Sequence, residues 1–213
     1  MQRALGCLVV LGMCLAGAHR ADAQLQCHAI GFTAGGPATF YDVDIDTAGV
    51  TVVGPVGFQR RSGMDISAMG TVVATCERLG TNTSVLVTID PATGVGTEVG
   101  PTGLPSNIVD ISFRPADGTL FAGDFDNLYT IDTGTGAGAL VGSHNLASGG
   151  HALAFGTGGA LFLAVNGFAI QNAAPSLFTL DPATGASTFV QLLPIPLPRR
   201  LLFTGSIPWI LTP

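Results

Sequence analysis

Short apolar runs recur along the chain, each closed by the same kind of polar turn. Phe40-Tyr41-Asp42-Val43-Asp44-Ile45-Asp46-Thr47-Ala48-Gly49 is followed by Val87-Thr88-Ile89-Asp90-Pro91-Ala92-Thr93-Gly94. Two further copies are Leu128-Tyr129-Thr130-Ile131-Asp132-Thr133-Gly134-Thr135-Gly136 and Leu177-Phe178-Thr179-Leu180-Asp181-Pro182-Ala183-Thr184-Gly185. If Asp46, Asp90, Asp132 and Asp181 anchor the turns, the spacings are 44, 42 and 49 residues. A second apolar run follows each turn and ends Val53-Gly54, Val99-Gly100, Val141-Gly142 or Phe189-Val190. This pattern predicts a hairpin, with Asp accepting backbone N–H groups, Pro fixing its own φ and Gly taking a positive φ at the end.

Two more strands precede each hairpin. They are clearest as Val109-Asp110-Ile111-Ser112-Phe113, a turn at Pro115-Ala116-Asp117-Gly118, and Thr119-Leu120-Phe121-Ala122. The pair recurs from Met64 to Ala74 and from Ala152 to Leu163. The expected unit is therefore four antiparallel strands, A to D, repeating every 40 to 50 residues, which predicts an all-β fold of β-propeller type. Complete blades are expected at about 58–100, 101–142 and 143–190. Residues 25–54 supply strands B, C and D of another, and 199–205 resemble the strand A that would complete it. The expectation is about four four-stranded blades, either closed by the terminal strands or forming a shortened copy of a larger propeller. A small outer-membrane barrel and a β-solenoid compete, but two Tyr and one Trp are too few for aromatic girdles, and solenoid repeats are shorter.

From Leu128-Tyr129-Thr130-Ile131-Asp132 to Val141-Gly142 the chain resembles the repeats of secreted bacterial β-propellers, with a pattern related to quinoprotein-like and YVTN-type blades. The resemblance spans roughly residues 25 to 205 and implies the fold more than an activity. Quinoprotein blades usually carry a docking Trp on strand D. Val99, Leu140 and Phe189 stand there instead, which argues against a quinone-dependent dehydrogenase.

Composition narrows the function classes. The 213 residues are 47% hydrophobic and 10% charged, with 30 glycines, no Lys and a net charge of −6. A basic nucleic-acid binder is excluded, as are lysine Schiff-base and P-loop chemistries. Residues 1–23 read as a signal peptide: Arg3, an apolar run from Leu5 to Ala16, and Ala21-Asp22-Ala23 before a cut at Gln24. Residues 24–213 then form the propeller domain of a secreted protein, extracellular or periplasmic, with no transmembrane segment after cleavage and a charge of −7. Cys7 and Cys14 leave with the leader. Cys27 and Cys76 remain, either as a disulfide closing a loop of about 50 residues, worth about 4 kcal/mol in the chain-entropy model, or as two buried thiols.

Features shared by every blade are scaffold, and features of one blade are candidates. The A–B and C–D turns are short and repeated; the B–C and D–A loops fall on the opposite rim and vary, so that rim is the expected binding face. Arg60, Arg61, Asp124, Asp126, Asn127, His144 and His151 are its ligand-binding candidates, joined by Glu77, Arg78, Asn145, Asn166, Gln171 and Asn172. They suit a protein, peptide or glycan ligand. Asp65 and Asp110 are read at one point of the innermost strand, where carboxylates could hold Ca²⁺ in the central channel; the third blade offers only Ala152. No other cofactor is indicated. The sequence contains no Gly-x-Ser-x-Gly, His-Glu-x-x-His, Cys-x-x-Cys or Walker motif, and Gly134 to Ala139 lies in a hairpin rather than before a helix. The leading expectation is a non-catalytic binding or scaffold protein. The competing one is a secreted hydrolase or lyase using Asp124, Asp126, His144 or His151, with or without Ca²⁺.

Overall fold

The computed structural model describes residues 8–11, 27–32, 36–105, 108–146, 151–165 and 175–193. Fifteen strands and no helix are found among them. The first group is β1 (Leu8–Leu11), β2 (Cys27–Phe32), β3 (Pro37–Val43), β4 (Val50–Ile66), β5 (Val72–Glu77), β6 (Ser84–Ile89) and β7 (Gly96–Pro101). The second is β8 (Asp110–Phe113), β9 (Leu120–Gly123), β10 (Asn127–Ile131) and β11 (Gly138–Ser143). The third is β12 (His151–Phe155), β13 (Leu161–Val165), β14 (Ser176–Leu180) and β15 (Ser187–Leu192). Every pairing is antiparallel between chain neighbours.

The first seven strands count as one sheet because β4 is 17 residues long and serves two units. Its first half pairs with β3 and its second half with β5, with register shifts near Phe40 and between Arg60 and Met64. It is the outer strand of one unit running into the inner strand of the next, so the described residues form a row of four meanders. Residues 199–205, expected to complete the first unit, lie outside the described residues. The strand that pairs with the outer edge of β2 is β1, within the segment read as a leader.

Three apolar cores hold the row together, one between each consecutive pair of sheets. Phe40, Ile30 and Val56 of the first unit meet Met64, Val72 and Val87 of the second. Val73 and Leu86, on the opposite face of the second, meet Ile111, Leu120 and Ile131 of the third. Phe121 and Leu128 of the third meet Leu153, Leu161 and Leu163 of the fourth. A sheet covered on both faces needs apolar residues at odd and even positions alike. This is why β5, Val72-Val73-Ala74-Thr75-Cys76-Glu77, is buried at every residue instead of alternating.

The hairpin turns form as their sequence predicts, with one correction. Asp90 and Asp181 accept the N–H of Ala92 and Ala183 and the hydroxyls of Thr93 and Thr184, while Asp132 accepts Gly134 N–H, Thr135 N–H and Thr135 Oγ1–H. In the first copy the anchor is Asp44, which accepts from Asp46 and Thr47 and whose own N–H bonds Gly49 as Asp90 bonds Val95. Asp46 is the second residue of the turn, so the true spacings are 46, 42 and 49.

Candidate functional site

The variable rim is built best at the third unit. After β9 the chain turns sharply because Asp124 folds back on its own loop: its Oδ1 accepts the N–H of Asp126 at 2.8 Å and of Asn127 at 2.6 Å. Its Oδ2 accepts the Tyr129 hydroxyl at 2.7 Å. Strand alternation carries Tyr129 from Asn127 back under the loop, where burial and the neighbouring Asp124 carboxylate push its phenol up to about 12. At the end of β11, His144 N–H donates to Asp126 O, and the ring reaches Asp124 O through Nε2 at 3.3 Å. Its Nδ1 accepts Leu146 N–H at 3.2 Å, so Nε2 carries the proton of a neutral ring. Burial lowers its pKa further, against the opposing pull of Asp124 and Asp126. Ser187 of the next sheet closes the cluster by donating to His144 O at 2.8 Å.

Four predicted residues, Asp124, Asp126, Asn127 and His144, are thus brought together, and their roles divide. Asp124 and His144 are 3% and 1% exposed and have their polar atoms engaged inward. Asp126 and Asn145 face solvent, with Asn145 at φ +53° and its side chain within 3.3 Å of the Ser143 hydroxyl. Tyr129 was not among the sequence candidates. Its signal was available as an aromatic hydroxyl five residues from a turn Asp, but in the repeat it reads as an ordinary core position.

The other candidates lie apart from this cluster. Arg60 pairs with Cys76 and His151 with Val165 in the strand registers, and the side chains of Arg60, Arg61 and His151 lie outside the described residues. Asn166, Gln171 and Asn172 lie outside them altogether. On the second unit, Arg78 grips Glu98 through Nε at 2.9 Å and a terminal nitrogen at 2.5 Å, which holds the Glu98 carboxyl below its ordinary pKa.

Asp65 and Asp110 require a correction. Their strands start from the A–B turn at Ile66–Val72, Phe113–Leu120 and Phe155–Leu161. Counted from there, Asp65 matches Ser112 and Ala154, whereas Asp110 matches Gly63 and Ala152, so the two carboxylates do not share a level. Their carboxyl oxygens accept backbone N–H groups of their own strand and of the next sheet. Asp65 accepts the N–H of Ile66 at 2.8 Å and, across the seam, of Phe113 at 2.7 Å. Asp110 likewise accepts Ile111 at 2.9 Å and Leu153 at 2.8 Å, and Ser112 Oγ accepts Phe155 N–H at 3.2 Å. In each case the side chain at one level binds the N–H one residue further on in the next sheet. They clasp neighbouring sheets, and among the described residues no group of three or more His, Cys, Asp or Glu gathers to hold a metal.

The disulfide expectation also meets a different geometry. Cys27 and Cys76 are both buried and no disulfide joins them. Ile30 lies in the core against the second sheet together with Cys76, and Cys27, an odd number of residues from Ile30 on β2, falls on the opposite face.

No protein-family model matches the sequence, and no curated protein matches it. Similarity appears in the fold. The chain is similar to the Bacteroides ovatus xyloglucan-locus protein GH43B, with a TM-score of 0.54 and 16% identity over 88% of this chain and 41% of that one. It is also similar to auxiliary nutrient binding proteins of Bacteroides thetaiotaomicron and Bacteroides ovatus, each at a TM-score of 0.50 and 14% identity. Those matches cover 78% and 76% of this chain but 38% and 37% of the solved ones. The chain spans about two fifths of the length of these solved chains. At such identities the likeness carries the fold alone: all-β, of antiparallel sheets in the propeller class.

Proposed function

We propose that this chain is an exported, non-catalytic binding protein of propeller type that recognises a protein, peptide or glycan through the rim of B–C and D–A loops. The observation that carries this reading is the state of Asp124 and His144. A general base needs a free lone pair beside its substrate, and a nucleophile needs a base to activate it. Here the carboxylate already accepts three donors and the imidazole is neutral, buried and bonded at both nitrogens. The pair stiffens the loop instead. Stiffening serves recognition, because a pre-ordered loop loses less conformational entropy when a ligand is bound. The groups left at the surface, Asp126, Asn145 and the Arg78–Glu98 pair, offer hydrogen bonds and mixed charge suited to a hydroxyl-rich or amide-rich ligand. Two of the solved chains with this fold are nutrient binding proteins, which accords with a binding role without naming the ligand. An apolar leader at residues 1–23 accords with export.

The test is binding of the purified secreted chain to glycan and peptide arrays, followed by titration of the best ligand. D126A and R78A should each weaken it about tenfold, while A92R and A116R, in the C–D turn of the second unit and the A–B turn of the third, should leave it unchanged. Binding lost in the turn-rim variants and kept in the others would reject this face. Turnover of an array glycan, abolished by D124N, would reject the non-catalytic reading.

A further inference from the structure

Two devices build the seams between sheets, a clasp of inner strands at the second–third and third–fourth seams and a glycine contact at all three. Among the described residues neither continues beyond the fourth sheet. The first is the clasp of the inner strands: Asp65 joins the second sheet to the third, and Asp110 with Ser112 joins the third to the fourth. At the matching levels of β12 stand Ala152 and Ala154, which cannot accept a hydrogen bond through their side chains. The second device is a glycine contact at the outer strands. Gly54, Gly100 and Gly142, near the ends of their outer strands, press on Thr93-Gly94, Thr135-Gly136 and Thr184-Gly185 of the next sheet. A Cβ at Gly94 would stand 2.9 Å from Gly54 O, at Gly136 2.5 Å from Gly100 O, and at Gly185 2.7 Å from Gly142 O. The joint therefore needs glycine on both sides.

At a joint from the fourth sheet back to the first, the glycine pair found at all three other seams is absent on both sides. By register, the residue of β15 that matches Gly142 is Gln191: Leu128 pairs with Gly142 where Leu177 pairs with Gln191. The turn residue of the first unit that matches Gly94 is Ala48, exposed at φ +55°. Acceptors and glycines are thus missing together, at the one seam that a four-sheet ring would require.

β15 differs from the other outer strands in another respect. The outer half of β4 carries Gly54 and Pro55, β7 carries Glu98, Gly100 and Pro101, and β11 carries Gly142. Such residues keep an edge from pairing with a foreign strand. Ser187-Thr188-Phe189-Val190-Gln191-Leu192 has no Gly, Pro or charge, and Phe189, Val190 and Leu192 are 54%, 44% and 59% exposed. β15 is also last in its sheet, so its outer backbone groups have no strand beside them among the described residues. In a chain of net charge −6 it is a neutral strip on which two acidic copies can meet without repulsion.

We propose that the row of sheets is open at its fourth member and that a second copy of this chain pairs with the outer edge of that sheet, β15 antiparallel with β15 of the partner. A two-fold axis between Phe189 and Val190 sets Phe189 against Val190 and Thr188 against Gln191 of the partner subunit, apolar on apolar and polar on polar. Phe189, Val190 and Leu192 are not among the rim groups, although Ser187 at the start of the same strand donates to His144 O.

The experiment is the mass in solution of the secreted chain by light scattering across a concentration series. It uses the natural chain and V190K/L192K, both exposed positions, with thermal unfolding as the check on folding. The expected result is a dimer that the double substitution converts to a monomer that still unfolds cooperatively. A monomer at every concentration, or a dimer that survives the substitution, overturns the proposal. If V190K/L192K unfolds, spin labels at positions 48 and 191, with natural cysteines replaced by alanine and labelled chain diluted in unlabelled, decide the same point. A distance as short as that of a 52/92 control pair across the first joint means a closed ring and overturns the open end. A clearly longer one supports it.

Discussion

The seam between the third and fourth sheets and the outer side of the fourth sheet are made from the same repeat, yet they differ in nearly every contact. At the seam, Asp110 and Ser112 hold the N–H groups of Leu153 and Phe155, Gly142 lies against Thr184-Gly185, and Phe121 packs edge-on against Phe155 at 5.4 Å. On the outer side the corresponding residues are Ala152, Ala154 and Gln191, and the aromatic pair Phe178–Phe189 ends in solvent. The same backbone arrangement can therefore be a joint or a free end according to three or four side chains. What a repeat shares makes each sheet; what makes sheets adhere is a smaller set of residues that the repeat does not have to conserve.

The largest effect should come from forcing a side chain into the glycine contact. Gly136→Val, a branched residue at φ +81° against a backbone oxygen, should lose about 3 kcal/mol or more in denaturant unfolding. Ala48→Val, at the matching turn of the first unit, against which no sheet lies among the described residues, should lose clearly less, about 1 kcal/mol, the strain of a branched residue at positive φ without the backbone clash. Equal losses at the two sites would mean that the first turn is also covered.

The clasp comes next. Asp110→Ala leaves the buried N–H of Leu153 without its acceptor and should cost about 2 kcal/mol, in keeping with the desolvation of one unmade hydrogen bond. Ala152→Asp, which restores the same acceptor at the free end, should gain nothing measurable. A clear gain in stability there would show that a further sheet stands ready to be clasped.

The pH response of the second seam is smaller and has a defined sign. Burial raises the Asp65 carboxyl to about 6 despite its bonds to Phe113 and Ile66, so the folded chain holds a proton that the unfolded chain releases near its ordinary value of 3.8. Its contribution to stability is greatest below pH 4, falls as pH rises toward 6 and is level above. The depressed carboxyls of Asp90, Asp117, Asp132 and Asp181 slope the other way. The observable is therefore the difference between the natural chain and Asp65→Ser, which takes the residue found at that level of the third sheet. Its stability relative to the natural chain should improve from pH 4 to pH 6. A flat difference would mean that Asp65 is not proton-linked to folding.

The smallest expected change is at the rim. Tyr129→Phe removes one hydrogen bond to Asp124 and should cost about 1 kcal/mol, with ligand affinity reduced only as far as the loop loosens. An affinity loss greater than that of D126A would make the brace itself part of the contact surface.

Much of the fold was legible because its cause is local. The Asp-x-x-Thr-Gly turns at 90–94 and 181–185 are closed by side chains three residues apart, so their chemistry can be read without knowing what surrounds them. The first copy misled for the same reason. Asp44 and Asp46 are equally good turn acceptors, and only the pairing of β3 with β4 selects Asp44. At the site, the variable loop at Asp124 was legible as a turn between repeats, while its inward use against Tyr129 and His144 was not, since those contacts run across strands.

By itself, then, the sequence determined the repeat, the antiparallel hairpins, the acidic and lysine-free surface and the distinction between a repeated rim and a varied one. These follow from backbone geometry and from residues near one another in the chain. Only the tertiary structure decided what Asp65, Asp110, Cys27 and the strand-end glycines do. Each depends on which groups the next sheet presents, 40 to 50 residues away. A one-residue difference in strand register moves a side chain to the other face, and a two-residue difference moves it to another level. That is how two aspartates that look equivalent in the sequence came to clasp different seams.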